Sequence, residues 1–142
     1  MAYERLIPNA FGGNDSIREI RVDELRNVGA VLAGLRDHVE DGIFSQTYEP
    51  AFWSSKASLC MSEGIARAYC VNGGNIAGVL LVQIDGYKRA TIWACNSMWG
   101  PESEAELMKD AVAWCAEKGV QLGKFVNVKR LVETTVREWQ AV

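Results

Sequence analysis

Histidine is nearly missing from this chain: His38 is the single one in 142 residues. One histidine leaves no usual His-based metal site, and it sits at the polar edge of an apolar helical stripe, so we read it as a solvent-facing or core-edge residue rather than the base of a catalytic triad. Cysteine is sparse too. Cys60, Cys70, Cys95 and Cys115 lie too far apart to form a metal knuckle or a redox pair. They read as buried, reduced thiols in a cytosolic setting. No apolar run approaches the roughly 18 residues a membrane span requires, and Met1–Ser16 lacks the apolar segment and cleavage site of a signal peptide. Basic runs are absent as well. With a net charge of −3, the whole molecule has no attraction for nucleic acid or an anionic membrane. A cytoplasmic protein with no metal, nucleic-acid or membrane partner is therefore expected.

What remains is a chain of one ordinary domain. Residues 1–16 show no helical or strand period and contain Pro8 and the turn cluster Gly12-Gly13-Asn14-Asp15. They read as an extended N-terminal arm, with residues 17–142 forming the single domain. Tyr3, Leu6, Ile7 and Phe11 could pack the arm on its own domain or let Met1–Phe11 grip a protein partner or a second copy. Ile17–Val22 alternates apolar and charged residues, which predicts a short strand. Asp23 is placed to cap a helix running to about Glu40, with Leu25, Val28, Val31, Leu32, Leu35 and Val39 on one face. Asp41-Gly42 ends it. A second helix starts at Pro50, buries Trp53, Ala57 and Cys60, and stops at Gly64. Ile65–Val71 and Ile76–Ile84 flank Asn72-Gly73-Gly74-Asn75, a hairpin turn suited to positive φ. The second of these strands is apolar at nearly every position and is expected at the centre of the sheet.

The stretch Arg89–Asn127 organises the rest. Arg89–Asn96 predicts a strand, and Ser103 with Glu106 fits a Ser-x-x-Glu capping box for a helix ending before Gly119. Lys124–Val128 predicts a strand parallel to the one before it, because a helix connects them. A last helix is expected over Lys129–Gln140 from the spacing of Val132, Val136 and Trp139.

This order of elements resembles the GNAT fold of acyl-CoA-dependent N-acyltransferases, over roughly Ile17 to Trp139. The run AVAWCAEKGVQLGKFVNVKR is similar to the family's central helix and following strand, and Asn127 falls where many members place an asparagine. The resemblance implies an α/β fold: a mixed sheet with an antiparallel meander and one parallel strand pair, with helices on both faces. It also implies acetyl-CoA as the cofactor of an active member. In that case the backbone of Ala94, Cys95 and Asn96 would hold the pantetheine arm as an added strand would. Trp99, Gly100 and Ser103 would meet the pyrophosphate, and Asn127 would complete the site.

The sequence departs from the family pattern in two places. Members carry an (Arg/Gln)-x-x-Gly-x-(Gly/Ala) turn whose amides and helix dipole hold the pyrophosphate. Here the turn reads Met98-Trp99-Gly100-Pro101-Glu102-Ser103-Glu104-Ala105-Glu106. Pro101 has no N–H, and the three glutamates oppose an anion while suiting the start of a helix. The family also adds a final β-hairpin and often a tyrosine in the last helix as the acid for the leaving thiolate, whereas Leu131–Val142 contains no tyrosine. The Asn96-Ser97-Met98-Trp99 turn resembles that of GNAT-like proteins of short-tailed bacteriophages, including internal virion proteins, which would place the chain in the host cytoplasm or the virion. Three functions follow. The first is a pseudoenzyme, a binding or structural assembly protein with Trp99, Pro101 and the arm as contact surfaces. The second is an active N-acyltransferase whose base is a water or a carboxylate such as Glu63 or Asp85, with no catalytic residue singled out. The third is a domain that binds a small neutral or cationic metabolite.

Overall fold

The computed structural model describes residues 3–34, 50–84, 86–120, 122–127 and 130–135. Among the described residues seven strands form one sheet in the order of the sequence. They are β1 (Glu4–Pro8), β2 (Asn14–Glu19), β3 (Gly64–Val71), β4 (Asn75–Ile84), β5 (Ala90–Ser97), β6 (Leu122–Asn127) and β7 (Arg130–Thr135). Strands β1 to β5 make an antiparallel meander, β6 lies parallel to β5, and β7 returns antiparallel to β6. Helices α1 (Leu25–Gly34) and α2 (Pro50–Glu63) cover one face and α3 (Pro101–Lys118) covers the other.

The apolar run of β4 explains its central place. Ala77 through Val82 are all buried, with Val79 and Leu81 facing α1 and α2 while Leu80 and Val82 face α3. The turn into β4 has the conformation its residues favour. Asn72 and Gly73 have φ of 52° and 71°, and the Gly74 N–H donates to the Val71 carbonyl at 3.0 Å. This is a type I′ hairpin turn, whose twist matches that of the strands. Gly29 lets α1 meet α2 closely, because an added Cβ would lie 2.4 Å from the Pro50 carbonyl oxygen. Gly64 does not end α2 in a left-handed cap. It opens β3 directly, and a Cβ there would meet the Val82 carbonyl oxygen at 1.9 Å.

Four expectations are corrected. Residues read as an extended arm are built into the sheet, with β1 as its edge strand. The cause is charge as much as pattern. Arg5 turns inward, donating from Nε and Nη2 to Asp110 Oδ1 at 3.1 and 2.7 Å and from Nη1 to Glu106 Oε2 at 2.7 Å. Arg67 of β3 binds the other oxygen of the same Asp110 carboxylate at 2.7 Å. Secondly, the strand expected at Ile17–Val22 lies earlier, over Asn14–Glu19, because Val22–Glu24 forms a 3-10 turn. Glu24, not Asp23, holds this helix start: its carboxylate accepts from the Arg21 N–H at 3.0 Å and from both terminal nitrogens of Arg18 at 2.7 Å. Thirdly, Ser103 is not the helix N-cap. Gly100 takes that position with φ of 90°, and Pro101 occupies the first helical residue, where its missing N–H costs nothing. Lastly, Arg130–Thr135 is a strand rather than part of a helix. Val132, Thr134 and Thr135 are β-branched, a residue type that favours strands, and the segment pairs antiparallel with β6. His38, Asp41-Gly42, Asp85 and residues 136–142 lie outside the described residues. No helix among the described residues is long and apolar enough to cross a membrane.

Two outcomes test these ion pairs. Asp110→Ala leaves two guanidinium groups without their shared partner and is expected to cost about 3 kcal/mol or more in urea unfolding. Glu24, held mainly by Arg18 and against the opposing effect of burial, has its pKa lowered from 4.5 to about 2. A depressed carboxylate contributes stability above its unfolded pKa and loses it as pH falls through the folded one. The stability advantage of the wild type over Glu24→Gln is therefore expected to be full above pH 5 and to vanish towards pH 2. It should be on the order of 3 kcal/mol at neutral pH, read by denaturant titrations across that range.

Candidate functional site

Strands β5 and β6 part after a short parallel pairing, and the gap beyond it is the family's cofactor cleft by position. The two strands pair only at Ala90, Thr91 and Ile92, opposite Gly123, Lys124 and Phe125, although β5 continues to Ser97 and β6 to Asn127. The separation begins at a bulge. Against β4, Ile92 sits opposite Val82 and Ala94 opposite Leu81, so Trp93 is the extra residue. A bulge bends its strand and sharpens the local twist, which turns the end of β5 away from β6.

The ladder phase decides which backbone groups face this cleft. The Met98 N–H donates to the Ala77 carbonyl at 2.8 Å. Alternation then directs the polar groups of Ala94 and Asn96 to β4, and those of Cys95 and Ser97 to the β6 side. Of the three residues expected to hold an extended ligand arm, Cys95 alone presents its backbone to the cleft. Its thiol points the other way chemically: burial raises its pKa to about 12, and burial likewise takes Cys60 to about 12 and Cys115 to about 11. All four cysteines are free, buried and poor nucleophiles. Trp93 stands on the α2 side of the bulge. Its indole N–H donates to Gln83 Oε1 at 2.9 Å, the Gln83 amide donates to Glu63 Oε2 at 3.0 Å, and Lys56 Nζ lies 4.1 Å from the ring centroid. Glu63, one of two carboxylates considered as a base, is thus exposed at the end of this chain of contacts. Asn127 is the last residue of β6 and pairs with Arg130.

The turn at the mouth of the cleft is closed on itself. The Ser97 N–H, aimed to the cleft side, donates to the Glu104 carboxylate at 3.3 Å. The Trp99 N–H donates to Ser97 Oγ at 3.0 Å, and the Gly100 N–H to the Ser97 carbonyl at 3.4 Å. Pro101 has no N–H, and the Glu104 N–H donates to the Gly100 carbonyl at 3.2 Å. At most the amides of Glu102 and Ser103 remain, beside an exposed carboxylate of Glu102. Ser103 is buried, its Oγ 2.7 Å from Ser97 Oγ and 3.0 Å from the Gly100 carbonyl oxygen. The three glutamates therefore do three different things. Glu104 fills the amide of Ser97, Glu102 faces solvent, and Glu106 pairs with Lys109 and Arg5, which hold its pKa below the usual range. Met98 and Trp99 project outward, 67% and 56% exposed.

A second concavity, of about 440 Å³, lies across α3 between its first turn and the β1–β2 turn. Asp15 lines it, buried, accepting from the Tyr69 hydroxyl at 2.7 Å, the Asn72 N–H at 3.0 Å and the Asn9 amide at 3.2 Å. Burial works to raise its pKa, and these donors outweigh burial and hold it low. Sequence reasoning missed this group, since Asp15 looks like one more turn residue after Gly12-Gly13-Asn14.

No family model and no curated protein matches the chain. Among solved structures it is similar to an acetyltransferase of the GNAT family from Staphylococcus aureus Mu50, at a TM-score of 0.59 and 11% identity, over 78% of this chain and 71% of that one. It is similar to an N-acetyltransferase from the same organism (TM-score 0.54, 18% identity, 80% and 73% covered). A third is RimJ of Mycobacterium smegmatis in complex with CoA-disulfide (TM-score 0.53, 13% identity, 89% and 66% covered). The fold is GNAT-like. At these identities the likeness is one of fold alone. The closed turn is a property of this sequence. Ser103→Ala removes a buried hydroxyl from it and is expected to cost about 1 kcal/mol, measured by chemical denaturation.

Proposed function

We propose that this GNAT-like domain does not bind the CoA pyrophosphate at its β5–α3 turn and works as a non-catalytic binding or assembly module. One observation carries the reading: the turn supplies its own anion, because the Glu104 carboxylate accepts from the Ser97 N–H at the mouth of the cleft. An incoming phosphate would meet the amides of Ser97, Trp99 and Gly100 already bonded within the turn, Pro101 without an N–H, and the charge of Glu102 beside the remaining amides. Each like-charge contact near a surface costs on the order of 1 kcal/mol or more. The exposed Met98 and Trp99 beside the turn supply an apolar contact surface of the kind a protein partner covers. The resemblance of the Asn96-Ser97-Met98-Trp99 turn to that of GNAT-like phage proteins extends this proposal to an assembly role inside a virion.

The early end of the β5–β6 pairing favours a second reading, an active N-acyltransferase that holds the pantetheine arm at the backbone of Cys95. A calorimetric titration with acetyl-CoA separates the two. The wild type is expected to show no saturable binding below about 100 µM, and Glu102→Gln with Glu104→Gln is expected to gain affinity by about fivefold or more. Saturable wild-type binding in that range would falsify the non-catalytic reading.

A further inference from the structure

We propose that the outer edge of β1 is a self-complementary surface that pairs antiparallel with β1 of a second copy, joining two sheets about a two-fold axis. β1 is the first strand of the sheet, and among the described residues nothing pairs with its outer edge. Two bonds fix which of its groups face outward. The Glu19 N–H donates to the Tyr3 carbonyl at 3.2 Å, and the Asn9 N–H to the Gly13 carbonyl at 3.0 Å. Tyr3, Arg5, Ile7 and Asn9 therefore bond towards β2, while Glu4, Leu6 and Pro8 direct their backbone groups outward. Pro8 sits where a missing N–H leaves the β1–β2 ladder intact. The edge thus offers the amides of Glu4 and Leu6 and the carbonyls of Glu4, Leu6 and Pro8.

Only one register suits a second copy. Centred on Leu6, the pair exchanges Leu6 N–H and carbonyl in both directions, and each Glu4 N–H meets the Pro8 carbonyl of the other copy. Both outward amides of each copy are used, and the proline lands where its lack of an N–H forfeits little. Leu6, 61% exposed, then packs on its own counterpart, while Arg5 stands opposite Ile7. Centring on Arg5 would set Leu6 opposite Glu4 instead of its own counterpart and carry the Pro8 carbonyl beyond the paired strand. Centring on Ile7 would leave the Glu4 amides without a partner within the strand. Edge strands are usually blunted by charge or bulges; here the inward charge of Arg5 is already taken by Glu106 and Asp110, leaving the apolar Leu6 at the centre. The arrangement is isologous, as a two-fold dimer requires, and does not depend on whether CoA binds.

The test uses the full chain in sedimentation velocity, with mild oxidation of single-cysteine variants. The native thiols are all buried, so an introduced thiol reports alone. The wild type is expected to dimerise as concentration rises to about 500 µM, the weak end of specific interfaces. Leu6→Cys is expected to form a covalent dimer, because directly opposed residues have Cα atoms about 5.5 Å apart, within disulfide reach. Glu4→Cys, whose copies lie about 13 Å apart along the pair, is expected to cross-link at least tenfold more slowly. Glu4→Pro removes an outward amide alone and is expected to give a monomer with an unchanged melting temperature; should it fail to fold, the cysteine pair still decides. A wild type monomeric at about 500 µM, a Glu4→Pro dimer, or equal cross-linking of the two cysteine variants overturns the proposal.

Discussion

The buried carboxylate of Asp110 ties more of this molecule together than any other group described. It lies on the inward face of α3, 4% exposed, with one oxygen taken by Arg5 of β1 and the other by Arg67 of β3. A charge so placed is tolerated only when its partners come with it. The two arginines therefore fix how α3 lies over the meander, and they oblige the first residues of the chain to join the sheet. Glu106, one turn earlier, adds a second carboxylate to Arg5. The guanidinium of Arg67 stacks on the ring of Tyr3, 3.6 Å from its centroid. The edge strand, the helix and the neighbouring strand are thus set by one local charge balance, on which the position of the turn at the head of α3 also rests.

That constraint explains what was legible in the sequence and what was not. Patterns that depend on one element alone were readable: the positive-φ turn at Asn72-Gly73, the doubly covered β4, and the helix stop at Gly119, whose φ is 71°. Patterns that depend on a distant partner were not. Glu4–Pro8 is short, ends in proline, and turns an arginine inward, so nothing local announces a strand until Asp110 is known to receive it. Arg130–Thr135 failed for another reason. Three apolar residues at helical spacing are weaker than β-branched residues next to a strand that can pair with them.

The site was legible in its charges and illegible in their directions. From composition alone Pro101 and the glutamates are read as a turn ill suited to a phosphate, and the proposed function extends that reading. Ser103 with Glu106 has the form of a capping box, yet Gly100-Pro101 starts the helix earlier, which moves Ser103 into its interior and frees Glu106 for Arg5. Only the folded structure distinguishes Glu104, turned back onto Ser97, from Glu102, turned to solvent. Three equal repulsions thus become one filled amide, one exposed charge and one structural ion pair.

A closed turn beside an open cleft looks contradictory if the cleft exists for a cofactor. The contradiction disappears once the cause of the opening is considered. β5 leaves β6 because of the bulge at Trp93, and Trp93 is anchored from the α2 side by Gln83 and covered by Lys56. These contacts belong to the packing of the sheet. The turn follows its own contacts, in which Ser97, Ser103 and Glu104 satisfy one another. The shape of the cleft and the chemistry of its mouth are therefore held by separate sets of side chains. On the proposed reading the chain keeps the first, which its core requires, and lacks the second, which only a phosphate would require. The resulting domain retains the outline of a GNAT fold with a mouth that already contains its anion.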